Sequence, residues 1–149
     1  MLDEQVLLEF ITDNKSRGEN KMKVSVLLTI AAIYAAVAGL ALLIVPDVVL
    51  GGILGPTAPA ALVGNLRGYG GVLIAFAVID WVARNSDASK ARDAILLGNF
   101  VGFLLLTITG IIRVLAGSPS LGVITLVINA ALAVGFLVVG KANMTPKTN

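Results

Sequence analysis

The chain has 149 residues, 57% of them apolar and 13% charged, with a net charge of +2 and a mean hydropathy of +0.94. That length is one domain by the length prior, and that balance belongs to integral membrane proteins rather than to soluble cores. Cysteine and histidine are both absent. Their absence excludes disulfides, thiolate or imidazole metal sites, axial haem ligation by histidine and Ser-His or Cys-His nucleophile pairs, and so small a positive excess gives no argument for nucleic acid.

Residues 1–23 mix acids and bases around Leu2, Val6, Leu7, Phe10 and Ile11, a spacing that predicts a short amphipathic helix lying on the membrane surface. A second reading stays open there. Gly18 and Glu19 can be encoded by a ribosome-binding-like string just upstream of the Met22 codon, in which case residues 1–21 are an over-extension of the gene start. Residues 24–45 form an uncharged apolar run long enough to cross a hydrocarbon core of about 30 Å, the first span. Ala36-Val37-Ala38 resembles a signal-peptidase site, but the apolar run continues to Pro46 and suits an uncleaved anchor better. Residues 46–60, broken by prolines and glycines, are too short an apolar run to cross and read as a connection dipping into the interface.

The second span, residues 61–83, carries Arg67 and Asp80. Its Leu, Ile, Val and Phe residues favour insertion by about 3 to 6 kcal/mol in sum, while either charge would cost about 2.5 to 3.5 kcal/mol at the bilayer centre and less near its edges. Insertion wins narrowly. Residues 84–92 are a polar turn, and Asp93 stands where a carboxylate suits the positive end of the next helix. The third span, residues 94–115, carries Asn99, Thr107 and Arg113. The breaker-rich turn 116–120 follows, then the fourth span, residues 121–140, with Asn129 near its middle, and a polar tail, residues 141–149. The reading is an all-α, antiparallel up-down bundle of four membrane helices.

Nine of the eleven lysines and arginines fall in the N-terminal segment, the turn between spans two and three, and the tail; only Arg67 and Arg113 fall on the other side. By the positive-inside rule both termini are cytoplasmic. Arg67 and Arg113, with Asp47 as the one acid expected on their side, are candidates for holding a lipid phosphate or another anion, against a plainer reading as snorkelling anchors. Asp80 has Arg84 one turn later, an i, i+4 pair beside Trp81 at the interface; the sharper reading makes Asp80 a proton or cation relay. Asn99 and Asn129 are buried amides in need of partners across helices, with Thr107 at the right depth for Asn129. Small-xxx-small pairs at Gly64/Gly68, Gly98/Gly102 and Ala131/Gly135 predict close helix packing.

Pro46-Asp47 ending the first span, Arg67-Gly68-x-Gly70-Gly71 opening the second and Asp80-Trp81-x-x-Arg84 closing it give a layout, over about 120 residues, that resembles small four-helix bacterial inner-membrane proteins of the DoxX-like and related uncharacterised types. The resemblance implies a multi-pass bundle in a bacterial plasma membrane. Some members are linked to quinone or thiosulfate oxidation complexes, and no residue here carries that chemistry over. The expected role is non-enzymatic and without cofactor: an accessory subunit or a bundle that binds membrane lipids or a partner, as a homo-oligomer or within a larger membrane complex. The alternative is a small oligomeric channel or proton-coupled transporter.

Overall fold

The computed structural model describes residues 4–54, 60–117 and 120–143, all of them in helices or short turns. In chain order the helices are α1 (Glu4–Ile44), α2 (Pro46–Leu54), α3 (Ala60–Ala83), α4 (Lys90–Leu115) and α5 (Ser120–Asn143). Among the described residues, four segments are long and apolar enough to cross a membrane: Gly18–Ile44, Leu62–Ala83, Lys90–Leu115 and Leu121–Asn143.

Each helix end has a local cause. Pro46 opens α2 at the first helical position, where its missing N–H costs nothing; the Val45 carbonyl accepts from the Val48 and Val49 amides, and Asp47 sits in the first turn. The connection expected over 46–60 is therefore partly helical, and its remainder, residues 55–59, lies outside the described residues. At α4, Ser89 is the N-cap in extended backbone; its hydroxyl accepts from the Arg92 amide at 3.2 Å and its carbonyl from the Asp93 amide at 2.9 Å. This cap starts the helix four residues earlier than the apolar run alone implied. Gly117 follows α4 with φ +84, a left-handed conformation that glycine adopts without steric cost and that commonly ends a helix.

The surface helix expected over residues 1–23 is not a separate element. The backbone is helical without a break from Glu4 into the first span, 41 residues in all, or about 60 Å at 1.5 Å per residue. Nothing between Lys15 and Lys23 stops a helix except Gly18, and a single glycine lowers propensity by only about 1 kcal/mol.

The helices pack chiefly as α1 on α3 and α4 on α5, with α1 also against α5; α3 and α4 scarcely meet. Lys21 meets Asp87, Ser25 meets Asn85 and Gly39 meets Gly70, so α1 and α3 run in opposite directions. Arg92 to Asn143 and Gly110 to Leu126 give the same sense to α4 and α5. The closest approach is at Gly39 and Gly70, where a Cβ on either would stand 2.8 or 2.7 Å from the other's carbonyl oxygen. The small-xxx-small pairs do not mark the seams as expected. Positions 64, 68, 98 and 102 have open space where a Cβ would be, and of the third pair Gly135 packs on Leu27 while Ala131 is exposed.

The core gathers Val24, Leu28 and Ala31 of α1 with Leu96 and Phe103 of α4 and Leu132, Ala133 and Phe136 of α5. Phe103 and Phe136 stack at 5.7 Å between centroids, and Tyr34 tilts against Phe103 at 6.1 Å. The polarity is inverted relative to a soluble bundle: Val26, Ile30, Ile33, Val37, Leu40 and Ile44 line the outer face of α1, while Asp80, Arg92, Asn99 and Asn129 are buried. An exterior of this kind is at home in lipid, and the chain is an integral membrane helical protein.

Candidate functional site

Because α3 and α4 scarcely touch, the space between them is filled only in part. Tyr34 of α1, Leu73 and Phe76 of α3 and Gly102, Phe103 and Leu106 of α4 border a cavity of about 170 Å³, with Asp80 and Asn99 also in its wall. Gly98 and Gly102 contribute no side chain to this wall and have no atom within 4 Å of a would-be Cβ, so these two residues leave the gap rather than close it. Phe76 and Leu106 are 47% and 39% exposed. The cavity therefore opens sideways, toward the medium around the bundle.

Asp80 is only 1% exposed. Asn99 donates one amide hydrogen to Asp80 Oδ1 at 2.7 Å and also donates to its own helix at the Ile95 carbonyl, 3.1 Å away. This is the polar clip between α3 and α4. Asp80 Oδ2 accepts no hydrogen bond among the described residues, and no Lys or Arg among them lies within ion-pair distance of the carboxylate. The expected Asp80–Arg84 pair does not form. Arg84 lies over the Trp81 ring instead, 3.3 Å from its centroid; Asp80 turns inward to the cavity while Trp81 is exposed, and a guanidinium gains from stacking on an indole face.

The second buried amide also finds a partner other than the one expected. The Tyr34 hydroxyl donates to Asn129 Oδ1 at 3.1 Å, tying α1 to α5, while Thr107 donates to the Phe103 carbonyl of its own helix at 2.7 Å. A threonine hydroxyl in an apolar helix satisfies itself on the preceding turn. Of the anion candidates, Asp47 and Arg67 are exposed and Arg113 is half-buried, and no ion pair among the described residues joins them. Asp80 and Asn99 are brought together; Arg67, Arg113 and Asp47 are not joined by any bond.

At the 84–89 end a further buried charge appears that charge counting had placed in a solvated turn. Arg92 donates to the Ser86 carbonyl at 3.4 Å and the Asn143 carbonyl at 3.2 Å, binding the turn to the end of α5. Lys21 and Asp87 form an exposed ion pair of 2.8 Å beside it. The hydrogen bond from Lys21, its charge and the charge of Arg92 hold the Asp87 carboxyl below its ordinary value.

Tyr34, Phe76 and Phe103 are cavity residues that reading the sequence did not single out. Tyr34 left a signal: a tyrosine inside an otherwise apolar span needs a partner for its hydroxyl. Comparison with known proteins finds no match, whether among family models, curated sequences or solved structures.

Proposed function

We propose that this chain is a non-enzymatic bundle of a bacterial inner membrane, with both termini in the cytoplasm, that holds a lipid-soluble molecule between α1, α3 and α4, alone or as an accessory subunit of a larger complex. The observation that carries this reading is the lateral cavity bordered by Phe76, Phe103 and Leu106 with Asp80 in its wall. Concave, mostly apolar sites with one or two fixed polar groups are the usual form of a small-molecule site. The distribution of Lys and Arg supports the orientation, and the four long apolar helices support residence in a membrane.

Native mass spectrometry of protein extracted from its own membrane tests this. We predict a small adduct on the wild type that is lost in Gly102→Leu, a variant that fills the cavity. Wild type that never carries an adduct, under conditions that preserve bound lipids on control proteins, would count against the reading. A stoichiometric partner recovered by affinity capture would support the accessory role.

The second reading, a proton-coupled transporter, draws on Asp80, since an intramembrane carboxylate is a functional candidate by default. Yet Asp80 with Asn99 and Tyr34 with Asn129 are two separate pairs, and no hydrogen bond among the described residues joins them. Proton flux in reconstituted vesicles that vanishes in Asp80→Asn would favour it.

A further inference from the structure

The wall of the α1–α3–α4 cavity is chemically lopsided. Aromatic rings of Tyr34, Phe76 and Phe103 border it, Gly98 and Gly102 widen it, and one carboxylate stands among them. That carboxylate is almost fully withdrawn from the surface, has a neutral amide as its hydrogen-bond donor, and lacks any counter-ion among the described residues. A buried carboxylate lacking a counter-charge is met best by a ligand that brings one. The nearby rings favour the same sign of charge, because their faces attract cations.

The donor set narrows the kind of cation. Calcium takes six to eight oxygen ligands, and magnesium an octahedral set including several waters. The cavity supplies one carboxylate, one amide and the Tyr34 hydroxyl, which donates to Asn129, and among the described residues no group of three or more acidic, histidine or cysteine side chains is placed to hold a metal. Its size points the same way. An apolar cavity of roughly 150 Å³ accepts benzene, so about 170 Å³ accommodates one ring and a short polar arm. The sideways opening past Phe76 and Leu106 admits a molecule that already partitions into the membrane.

We propose that the cavity binds a small lipophilic organic ammonium ion, its charge on Oδ2 of Asp80 and its apolar body between Phe76 and Phe103. The inference rests on the reading of the cavity as a ligand site and adds the charge of the ligand. Asn99 donates to Oδ1, which leaves Oδ2 for the ligand.

The test is equilibrium binding of benzylammonium and of benzyl alcohol, its neutral counterpart of equal size, to the full chain in nanodiscs of zwitterionic lipid. The wild type is expected to bind benzylammonium at least ten-fold more tightly than benzyl alcohol. Asp80→Asn, nearly isosteric, should abolish that preference while keeping the weaker binding of the alcohol, and Gly102→Leu should lose both ligands. Equal affinity of the wild type for the two probes overturns the ammonium inference but leaves a lipophilic-ligand site standing if Gly102→Leu loses both. Binding of neither probe overturns both. The comparison of probes on the wild type decides the matter even if a variant fails to fold.

Discussion

A methyl group added to Gly70 would stand 2.7 Å from the Gly39 carbonyl oxygen, backbone that cannot swing aside, whereas one added to Gly68 would meet nothing within 4 Å. We therefore predict that Gly70→Ala destabilises the protein by about 1 to 3 kcal/mol, the usual range for overpacking. Gly68→Ala should be neutral, or stabilising by up to about 1 kcal/mol through helix propensity. Reversible unfolding in mixed detergent micelles measures both, and equal effects of the two substitutions would refute the assigned seam. At Asp87 the carboxyl is held below its ordinary value of 3.8 by Lys21. Since the folded value is the lower one, the pair contributes its stability above the ordinary carboxylate range and loses it as pH falls through the depressed value. NMR titration of Asp87 should give a midpoint below 3.8, and Lys21→Met should move it back up; an unchanged midpoint means that the pair does not form in solution. Of the four buried polar residues among those described, Asp80, Asn99 and Asn129 were legible as polar groups inside spans, whereas Arg92, which the sequence places in a charged turn, was not. The partners of those three were not legible, because the i, i+4 rule that joined Asp80 to Arg84 describes neighbours on one helix surface, and Asp80 points off that surface into the cavity toward Asn99.

Helix ends were easier to read than helix partners. The ends of α1, α3 and α4 at Ile44, Ala83 and Leu115 fall within a residue of the expected span limits, because Pro46, Ser86, whose amide and hydroxyl both donate to the Ala83 carbonyl, and Gly117 each supply a local reason to stop. The start of α4 was missed by four residues, since Ser89 caps it from inside a charged stretch. The choice of seam depends on which face of one helix meets which face of another, and spacing within one helix carries no such information; the lone Gly39 matters because it meets Gly70. Between α1 and α5 the tie is the Tyr34 hydroxyl on Asn129. Tyr34→Phe leaves a buried amide oxygen without this donor, and we predict a loss of about 1 to 3 kcal/mol. The double substitution with Asn129→Leu should recover part of it, and a double variant as unstable as the sum of its parts would show that the two side chains are not coupled.

With four spans running in alternate directions, the Lys21 region of α1, the 84–89 turn and the end of α5 share one end of the bundle, as Lys21 with Asp87 and Arg92 with Asn143 already show. The absence of native cysteine makes this easy to test by labelling. Asp87→Cys and Ala142→Cys should react with an impermeant maleimide only from the cytoplasmic side, and Ala116→Cys only from the opposite side. Labelling of Asp87→Cys and Ala142→Cys from opposite faces would contradict the fold itself, and labelling of both from outside would reverse the assigned orientation alone. Membrane residence was legible from composition and run length because insertion depends on summed hydrophobicity. The cavity was not, since it arises where two sequential helices fail to close on each other.

The rise of α1 is unbroken from Glu4 to Ile44. Its polar portion is a direct continuation of the same helix that carries Gly39 against α3 and Tyr34 against α5. One backbone thus links the charged stretch 15–23 to Tyr34, whose ring borders the cavity beside Asp80.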